Sequence, residues 1–574
     1  MLQELWSPEG EILKTNPDMQ PWNVYPRPQM KRNSYLNLNG QWEFTAQKED
    51  WLPQSYDLKI RVPFCPEAPL SGIHGHFPEG TNLFYRRSLT LPEGFNRGRV
   101  ILHIGAADQV ADVYVNGQEV CHHEGGYESF CCDITDALKQ ENELVIRCKD
   151  DLDNQSYPYG KQVKPEKRGG MWYTPVSGIW QTVWLESVPE AYVKKLNIEN
   201  RGYSVTISIE PAMDGTVTVA KLGAFALVDG KVTITPENPN LWSPEDPYLY
   251  DFTLEAGEDK IESYFAIRSL EIKKVGNYPR LCLNGKPFFF HGLLDQGYWP
   301  EGILTAPAPE SYQRDILAMK KLGFNTLRKH IKIEPEEFYC QCDRLGMIVW
   351  QDMVNNSDYN FLRDTGLPTV GIQTLPDKFL HRDQMHRTSF LMNAAKAVMQ
   401  LGSHPSVCCW TIFNEAWGQF DSDEVYEIFR GWDDTRFIDS TSGWFRRKKT
   451  DVDSRHVYFK KVQLHADGKK PLVLSEFGGK TYKAENHIFN PEKSYGYGGS
   501  ETLEALNQQV AALYMDEIVP CIRNGLCAAI YTQVSDVEDE INGLLTYDRR
   551  VEKLKPEVML PVAEALNRAM EESV

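Results

Sequence analysis

The sequence predicts a multidomain protein in which two all-β sandwiches are followed by a C-terminal (β/α)8 TIM barrel. Before about residue 275, short runs rich in valine, isoleucine and aromatic residues alternate with turn signals, which is typical of antiparallel sandwiches. After Pro287 the pattern changes to a strand followed by a helix, repeated over about 295 residues, as in a barrel. A chain of 574 residues is also too long for one hydrophobic core. We therefore expect domains at residues 1–189, 190–275 and 276–574.

The two sandwiches are predicted from short strand candidates. In the first domain these lie at 40–44, 99–104, 111–115 and 142–148. Asn116-Gly117 follows the third candidate and predicts a tight hairpin, because this dipeptide accepts the positive φ angles of such a turn. The second domain has strand candidates at 204–209, 231–234 and 249–254, and its roughly 85 residues suffice for a small sandwich.

Eight apolar runs predict the strands of the barrel. Continuous apolar runs without alternation indicate strands buried on both faces, as in a parallel sheet. Helical stretches fall between most of them; at 312–322, for example, Ile316, Met319 and Leu322 share one helix face. The predicted strands are 288–294, 324–330, 347–352, 407–415, 437–441, 456–459, 472–476 and 528–533.

Composition excludes several classes of partner. The net charge is −19 without a long basic run, so we expect no nucleic acid and no anionic membrane as partner. No apolar run reaches the roughly 18 residues of a membrane span, and the start lacks the pattern of a secretory signal. The 12 cysteines form no Cys-x-x-Cys pair and are interpreted as reduced core residues of a cytoplasmic protein. We expect no metal site and no cofactor, and the sequence leaves open a homo-oligomer.

Two of the predicted barrel strands end on a glutamate. Ser406–Glu415 reads SVCCWTIFNE, and Pro471–Gly478 reads PLVLSEFG with Glu476 near its end. The carboxyl ends of barrel strands carry the chemistry, so both carboxylates should face one mouth. Glycoside hydrolysis needs such a pair, because one group protonates the leaving oxygen while the other attacks or activates water. Either glutamate alone would more often be a solvated loop residue.

The motifs around these glutamates resemble glycoside hydrolase family 2. They are Asn-Glu-Ala-Trp-Gly at 414–418 and Ser-Glu-Phe-Gly-Gly at 475–479. The segments 170–175 and 177–181 resemble the family's N-terminal jelly-roll domain, and 241–250 resembles the end of its immunoglobulin-like domain. The family contains retaining β-galactosidases, β-glucuronidases and β-mannosidases. The resemblance implies that Glu415 is the acid/base and Glu476 the nucleophile of a retaining glycosidase.

The other predicted strand ends supply candidates for binding the sugar. Aromatic faces stack on a pyranose ring, whereas amides, imidazoles and carboxylates bind its hydroxyls. Arg328 would keep a nearby carboxylate ionised, and its family position implies that this is Glu476; Tyr458 would donate to the nucleophile. For Gln296, Trp299 and Gln533 a structural role is an equal alternative. The predicted substrate-binding residues are Asp295, Gln296, Trp299, Arg328, His330, Asp352, Asn414, Trp417, His456, Tyr458, Tyr531 and Gln533.

The identity of the sugar rests on the resemblance. Relatives that act on glucuronides carry an Asn-x-Lys pair whose lysine meets the sugar carboxylate. This chain instead reads EINGL at Glu540–Leu544, without a lysine. Residues 531–544 look like the β-galactosidase-like subgroup, so we expect a β-galactosidase. A β-glucuronidase or other β-hexuronidase, with Lys329, Lys332 or Arg549 meeting the carboxylate, is an alternative. A β-mannosidase is another, since 350–352 resembles that group. A transglycosylase and a non-catalytic glycan-binding protein also stay open, although the presence of both glutamates disfavours the latter.

Overall fold

The computed structural model of the protein describes residues 2–369, 371–372 and 376–573, and it has the predicted order of two sandwiches and a barrel. The predicted fold class is confirmed. A short helix, Pro8–Thr15, precedes the first sandwich. Its N-terminus is capped by the Ser7 side chain, which accepts a hydrogen bond from the Gly10 amide.

The first sandwich packs a six-stranded antiparallel sheet against a four-stranded one, with a core that contains Trp42, Phe44 and Tyr85. Asn116 and Gly117 have φ angles of +52° and +81°, so the predicted hairpin turn is confirmed. In spatial order the six strands are Leu58–Val62, Gly40–Gln47, Asn82–Leu89, Asn142–Lys149, Val110–Val115 and Gln118–Glu124. The four strands are Tyr35–Asn37, Val183–Val188, Arg99–Ile104 and Phe130–Asp133. A separate two-stranded pair joins Gly178–Ile179 to Ala107–Asp108.

The second sandwich is smaller, and its apolar core is built by alternating residues such as Val205, Ile207 and Ile209. One sheet contains Lys195–Arg201, Ser204–Glu210 and Lys231–Ile234. The other contains Gly223–Leu227, Gly215–Val219, Tyr250–Ala256 and Asp259–Phe265.

We propose the domain limits 1–189, 190–275 and 276–574 from these elements. The last strand of the first sandwich ends at Val188, and the second sandwich occupies the strands between Lys195 and Phe265. A small sheet of Leu270–Val275, Tyr278–Leu283 and Lys286–Pro287 then leads into the barrel. Within it, Leu281 and Leu283 pack in one cluster with Phe290 of the first barrel strand.

The barrel consists of eight parallel strands, and each overlaps a predicted one. In chain order β1 to β8 are Phe290–Asp295, Thr326–Lys329, Ile348–Asp352, Val407–Asn414, Phe437–Ser442, Asp453–Val457, Leu472–Phe477 and Leu526–Thr532. Backbone ladders join β5-β4-β3-β2-β1-β8-β7-β6 in that order. Among the described residues no backbone ladder joins β5 to β6. There Ser442 Oγ lies 3.4 Å from Ser454 Oγ and 3.0 Å from Nε2 of His456, so side chains bridge the two strands.

Helices cover most of the strand connections. Pro309–Lys321 includes nearly all of the predicted helix at 312–322 and buries Ile316 and Met319. The others are Glu336–Leu345, the short Leu367–Thr369, Gln384–Leu401, Ser422–Trp432, Leu503–Leu513, Val519–Arg523 and Pro556–Glu572. The segments between β5 and β6 and between β6 and β7, which the structure describes throughout, contain no helix. No described helix is long and apolar enough to cross a membrane. All 12 cysteines lie in described segments and are free thiols.

Candidate active site

Glu415 leaves its strand through a sharp backbone turn. Glu415 and Ala416 have φ angles of +48° and +66°, which are unfavourable for residues with a Cβ and are typical of functional sites. The Glu415 amide donates to the carbonyl of Ser442 at the end of β5, at 2.9 Å. This turn directs the Glu415 side chain over the mouth, while Asn414 remains in β4.

The two predicted catalytic carboxylates are close together. One oxygen of Glu415, one oxygen of Glu476 and Nδ1 of His456 all lie within 4.8 Å of one another. Nδ1 of His456 is 2.8 Å from Oε1 of Glu415 and 3.6 Å from Oε2 of Glu476. Retaining glycosidases have carboxyl groups about 5–5.5 Å apart and inverting ones about 6.5–9.5 Å. The separation here lies on the retaining side of that division.

Arg328 connects three barrel strands beneath this pair. Its Nε donates to Asp352 at 2.9 Å and its two terminal nitrogens donate to Glu476 at 3.1 Å and to Asn414 at 2.9 Å. The guanidinium is fully buried, and its planar fork can satisfy all these acceptors at once. The structure thus brings Arg328, Asp352 and Asn414 together with Glu476.

Glu476 is held as a carboxylate from both sides. Arg328 donates to its Oε1, and the Tyr458 hydroxyl donates to its Oε2 at 2.8 Å. Burial alone would raise the pKa of Glu476. Electrostatic interactions with His456, Arg328 and other basic groups outweigh burial and lower this pKa to about 2. Glu476 is therefore ionised at neutral pH, as a nucleophile must be.

His330 is a neutral neighbour of this network. Its Nδ1 lies 2.6 Å from Oδ2 of Asp352. Burial and the nearby ammonium of Lys161 lower the pKa of His330 to about 4, against the opposing effect of Asp352. Its ring is uncharged at pH 7 and offers a hydrogen-bonding nitrogen without adding charge.

An aromatic wall stands beside the pair. Trp417 stacks on Trp172 with ring centroids 5.1 Å apart, and Tyr359 packs edge-on against both rings. Trp172 belongs to the loop of the first sandwich that precedes Gly178–Ile179, so two domains build this wall. The Lys161 ammonium from the same loop lies 5.5 Å from the Trp417 ring centroid.

Two clusters among the described residues have the composition of a cation site. One is the group of Glu415, His456 and Glu476 itself, and the other consists of Glu79, Asp151 and Asp153 in the first sandwich. The second cluster is partly exposed, and acidic surface groups of this kind are common without an ion. The expectation of no metal stays a prediction.

Three family models match the chain. The model for the TIM barrel domain of glycosyl hydrolases family 2 matches residues 274–552. The galactose-binding domain-like model of the same family matches 76–170, and a further model of glycosyl hydrolases family 2 matches 190–268. The chain belongs to glycoside hydrolase family 2.

Known members of family 2 resemble the chain at modest identity. A β-galactosidase of Thermoanaerobacter pseudethanolicus is 25% identical over 392 residues, which cover 62% of this chain and 51% of that protein. A β-glucuronidase of Bacteroides fragilis is 24% identical over 362 residues, covering 58% and 49% respectively. The chain thus matches about half the length of these curated relatives. The structure of a β-D-glucuronidase of Dictyoglomus thermophilum superposes with a TM-score of 0.72 at 19% identity, covering 95% of this chain and 98% of that one, which shows a shared fold.

Two predicted binding residues, Trp299 and Tyr531, contact protein groups other than the two glutamates. The Trp299 ring is covered by the Arg549 guanidinium at 3.8 Å, and the Tyr531 hydroxyl accepts a hydrogen bond from the Lys480 amide at 2.9 Å. Both aromatic side chains are buried against protein, and their role in binding a sugar stays a prediction. The strand pattern did not predict these contacts, because Arg549 and Lys480 lie in loops.

The remaining predicted residues are buried polar groups near the strand ends. Asp295 forms an ion pair with Lys329 at 2.7 Å, and Gln533 donates to the Asn542 side chain at 2.9 Å. The Gln296 amide is buried, and both its oxygen and its nitrogen lack a partner in the described chain. Among the described residues none of these three bonds to Glu415 or Glu476. Their role in binding stays a prediction.

Three residues of the site were not predicted from the sequence. Lys161 and Trp172 come from a loop of the first sandwich, and Tyr359 follows β3 at a distance. Trp172 lies in the segment 170–175 that resembles the family, which was a usable signal. Lys161 carried none, because its place beside Trp417 depends on packing between domains.

Proposed function

We propose that the protein is a retaining exo-β-glycosidase in which Glu476 is the nucleophile and Glu415 the acid/base. The observation that carries this proposal is the carboxylate pair with oxygens within 4.8 Å, of which Glu476 is held ionised by Arg328 and Tyr458. This asymmetry separates the roles, because Glu476 is surrounded by donors while Glu415 has the imidazole of His456 beside it.

The reaction proceeds in two displacements at the anomeric carbon. Glu476 attacks this carbon while Glu415 donates a proton to the leaving oxygen, and a covalent glycosyl–Glu476 ester forms. Glu415, now ionised, then takes a proton from water, whose oxygen attacks the same carbon and releases Glu476. Two inversions leave the configuration of the product unchanged. No step requires a cofactor.

The loop of the first sandwich supports an exo mode of action. The Arg168 guanidinium donates to Glu538 at 3.0 Å, and the Thr174 amide donates to the same residue at 3.0 Å. These contacts anchor the loop on the segment after β8, beside the wall of Trp172 and Trp417. A pocket closed on this side suits a single terminal sugar rather than the interior of a chain.

For the sugar itself we infer a β-hexuronide. The similarity to the B. fragilis β-glucuronidase and to the fold of the D. thermophilum β-D-glucuronidase supports this class. A β-galactoside, which the sequence motifs favour, is the second candidate, and the similarity to the T. pseudethanolicus β-galactosidase supports it. Both classes would use the same carboxylate pair. A hexuronide carries a carboxylate on C5 where a galactoside carries a hydroxymethyl group, and a glucuronide also differs from a galactoside in configuration at C4.

A panel of 4-nitrophenyl β-glycosides tests the proposal. We expect release of nitrophenol from the glucuronide or galacturonide at a higher kcat/KM than from the galactoside, glucoside and mannoside. Proton NMR during the first minutes should show the β-hemiacetal as the first product. Initial release of the α-anomer, or turnover that survives in Glu476→Ala, would contradict the mechanism; a preference for the galactoside would restore the second candidate.

A further inference from the structure

Lys161 is a buried cation beside the proposed catalytic pair. It lies on the loop of the first sandwich between Asn142–Lys149 and Gly178–Ile179, and only 6% of its surface is exposed. Its ammonium lies 5.5 Å from the ring centroid of Trp417 and 5.6 Å from that of Tyr173. It is close enough to Glu476 and Glu415 to interact with both electrostatically.

The ammonium has no close counterion in the protein. No carboxylate oxygen of the described chain lies within 4.0 Å of it, and it donates no hydrogen bond there. Glu540 exerts the largest opposing charge, but its oxygens accept hydrogen bonds from the Tyr173 hydroxyl and from the Asn542 amide. Burial lowers the pKa of Lys161, because an unpaired ammonium loses hydration there.

Three other buried cations near the strand ends are already paired. Lys329 is 2.7 Å from Asp295, and Lys332 is 2.9 Å from Glu334. Arg549 stacks on Trp299 and donates to Asp315 at 3.2 Å. These three were the sequence-based candidates for meeting a sugar carboxylate. Using any of them would break an existing buried ion pair, which is strongly unfavourable.

We propose that Lys161 binds the carboxylate of a hexuronide in the sugar pocket. The carboxylate would supply the missing counterion, and the hydrogen bond would be charge-assisted and shielded from water. This inference rests on the proposed function and names the residue that decides its substrate class. A residue of the first sandwich, rather than one in the barrel segment after β8, would then select sugars that carry a carboxylate. The absence of a lysine near Asn542 is therefore compatible with uronide cleavage.

The test compares charged and neutral sugars with one leaving group. Lys161→Met keeps the length and the apolar stem of the side chain but removes the charge. We expect kcat/KM for 4-nitrophenyl β-glucuronide or β-galacturonide to fall roughly 10- to 150-fold, as for loss of one hydrogen bond to a charged group. The matching glucoside or galactoside should change less than about threefold. Lys161→Arg should retain most of the uronide activity.

Two further lysines serve as comparisons. Lys164 is on the same loop but is paired with Asp153 at 2.7 Å, so Lys164→Met should leave both activities unchanged. Lys480 lines a cleft together with Tyr458 and is partly exposed. A selective loss of uronide activity in Lys480→Met, with none in Lys161→Met, would overturn the proposal.

Two readouts separate this inference from the proposed function. An equal loss of kcat/KM on charged and neutral substrates in Lys161→Met, with a shifted acid limb of the pH profile, would mean that Lys161 only changes the pKa of Glu476. That result would overturn the inference.

Calorimetric binding of free D-glucuronate does not depend on turnover. If this binding weakens at least about tenfold in Lys161→Met, the result supports the inference even when no glycoside is cleaved. The lack of cleavage would then refute the proposed function but not the inference. Equal binding by the wild type and Lys161→Met would overturn the inference.

Discussion

Replacing Tyr458 by phenylalanine removes one hydrogen bond from the nucleophile and little else. The hydroxyl donates to Oε2 of Glu476 at 2.8 Å and lies 2.7 Å from Oγ1 of Thr532, which can donate to it in turn. Phenylalanine keeps the ring that stacks on Tyr497 at a centroid distance of 4.0 Å. Arg328 still neutralises the other oxygen of Glu476.

The effect should fall mainly on the second displacement. In the covalent ester Glu476 carries no charge, and its charge returns as the bond to the sugar breaks. The Tyr458 hydrogen bond therefore strengthens towards that transition state, and only such an interaction accelerates the step. A hydrogen bond to a charged group contributes about 1.5–3 kcal/mol, so we expect kcat to fall roughly 10- to 150-fold. The value of kcat/KM for an activated aryl glycoside should fall much less, because it reports formation of the ester.

Stopped-flow measurement of nitrophenol release checks this prediction. Tyr458→Phe should show a burst equal to the enzyme concentration, followed by slow turnover with a lowered KM. Tyr497→Phe is the matched control: its hydroxyl pairs with that of Tyr495 at 3.2 Å and touches neither glutamate, so we expect less than a threefold change in kcat. Equal losses in kcat and kcat/KM without a burst would refute the reasoning.

Two further predictions concern the charges around Glu476. Arg328→Lys keeps the charge, but a lysine cannot reach Asp352, Asn414 and Glu476 together. The melting temperature should therefore fall, and kcat/KM should fall at least about tenfold. A variant with wild-type melting temperature and activity would contradict the role of the guanidinium fork. In Glu415→Ala, kcat/KM for a dinitrophenyl glycoside should stay level from about pH 7 down to about pH 4.5, because Glu476 has a lowered pKa of about 2 and loses its charge only as the pH falls towards that value. An acid limb centred between about pH 4 and 5.5 would mean that the environment of Glu476 does not lower its pKa.

Much of the barrel could be predicted because its strands are buried on both faces. Continuous apolar runs mark such strands, and all eight predictions overlap the observed ones. The poorest match is β6, predicted at 456–459 and found at Asp453–Val457, since this strand contains charged and polar residues. The two glutamates could be located because each lies within one residue of the end of a predicted strand. The left-handed turn at Glu415 follows from packing against β5 rather than from a local sequence signal.

The walls of the site were harder to predict than its floor. Arg328 and Tyr458 belong to barrel strands or follow them directly, so strand register placed them beside Glu476. The contact between the Trp299 ring and Arg549 was not predictable, because Arg549 is 250 residues further along the chain. Lys161 depends on a loop from another domain, anchored by contacts more than 300 residues apart such as Arg168 with Glu538. Such contacts leave no periodic pattern in a single sequence.

The acid/base assignment of Glu415 is tested most directly by azide rescue of Glu415→Ala. This variant should lose far more activity on a poor leaving group than on dinitrophenol, since only the former needs a proton to depart. Added azide should then accelerate turnover of the dinitrophenyl glycoside, because the small anion enters the vacated space and attacks the glycosyl–Glu476 ester. NMR should identify the product as the β-glycosyl azide. Formation of the α-azide, or an equal loss on good and poor leaving groups, would contradict the assignment of Glu415 and Glu476.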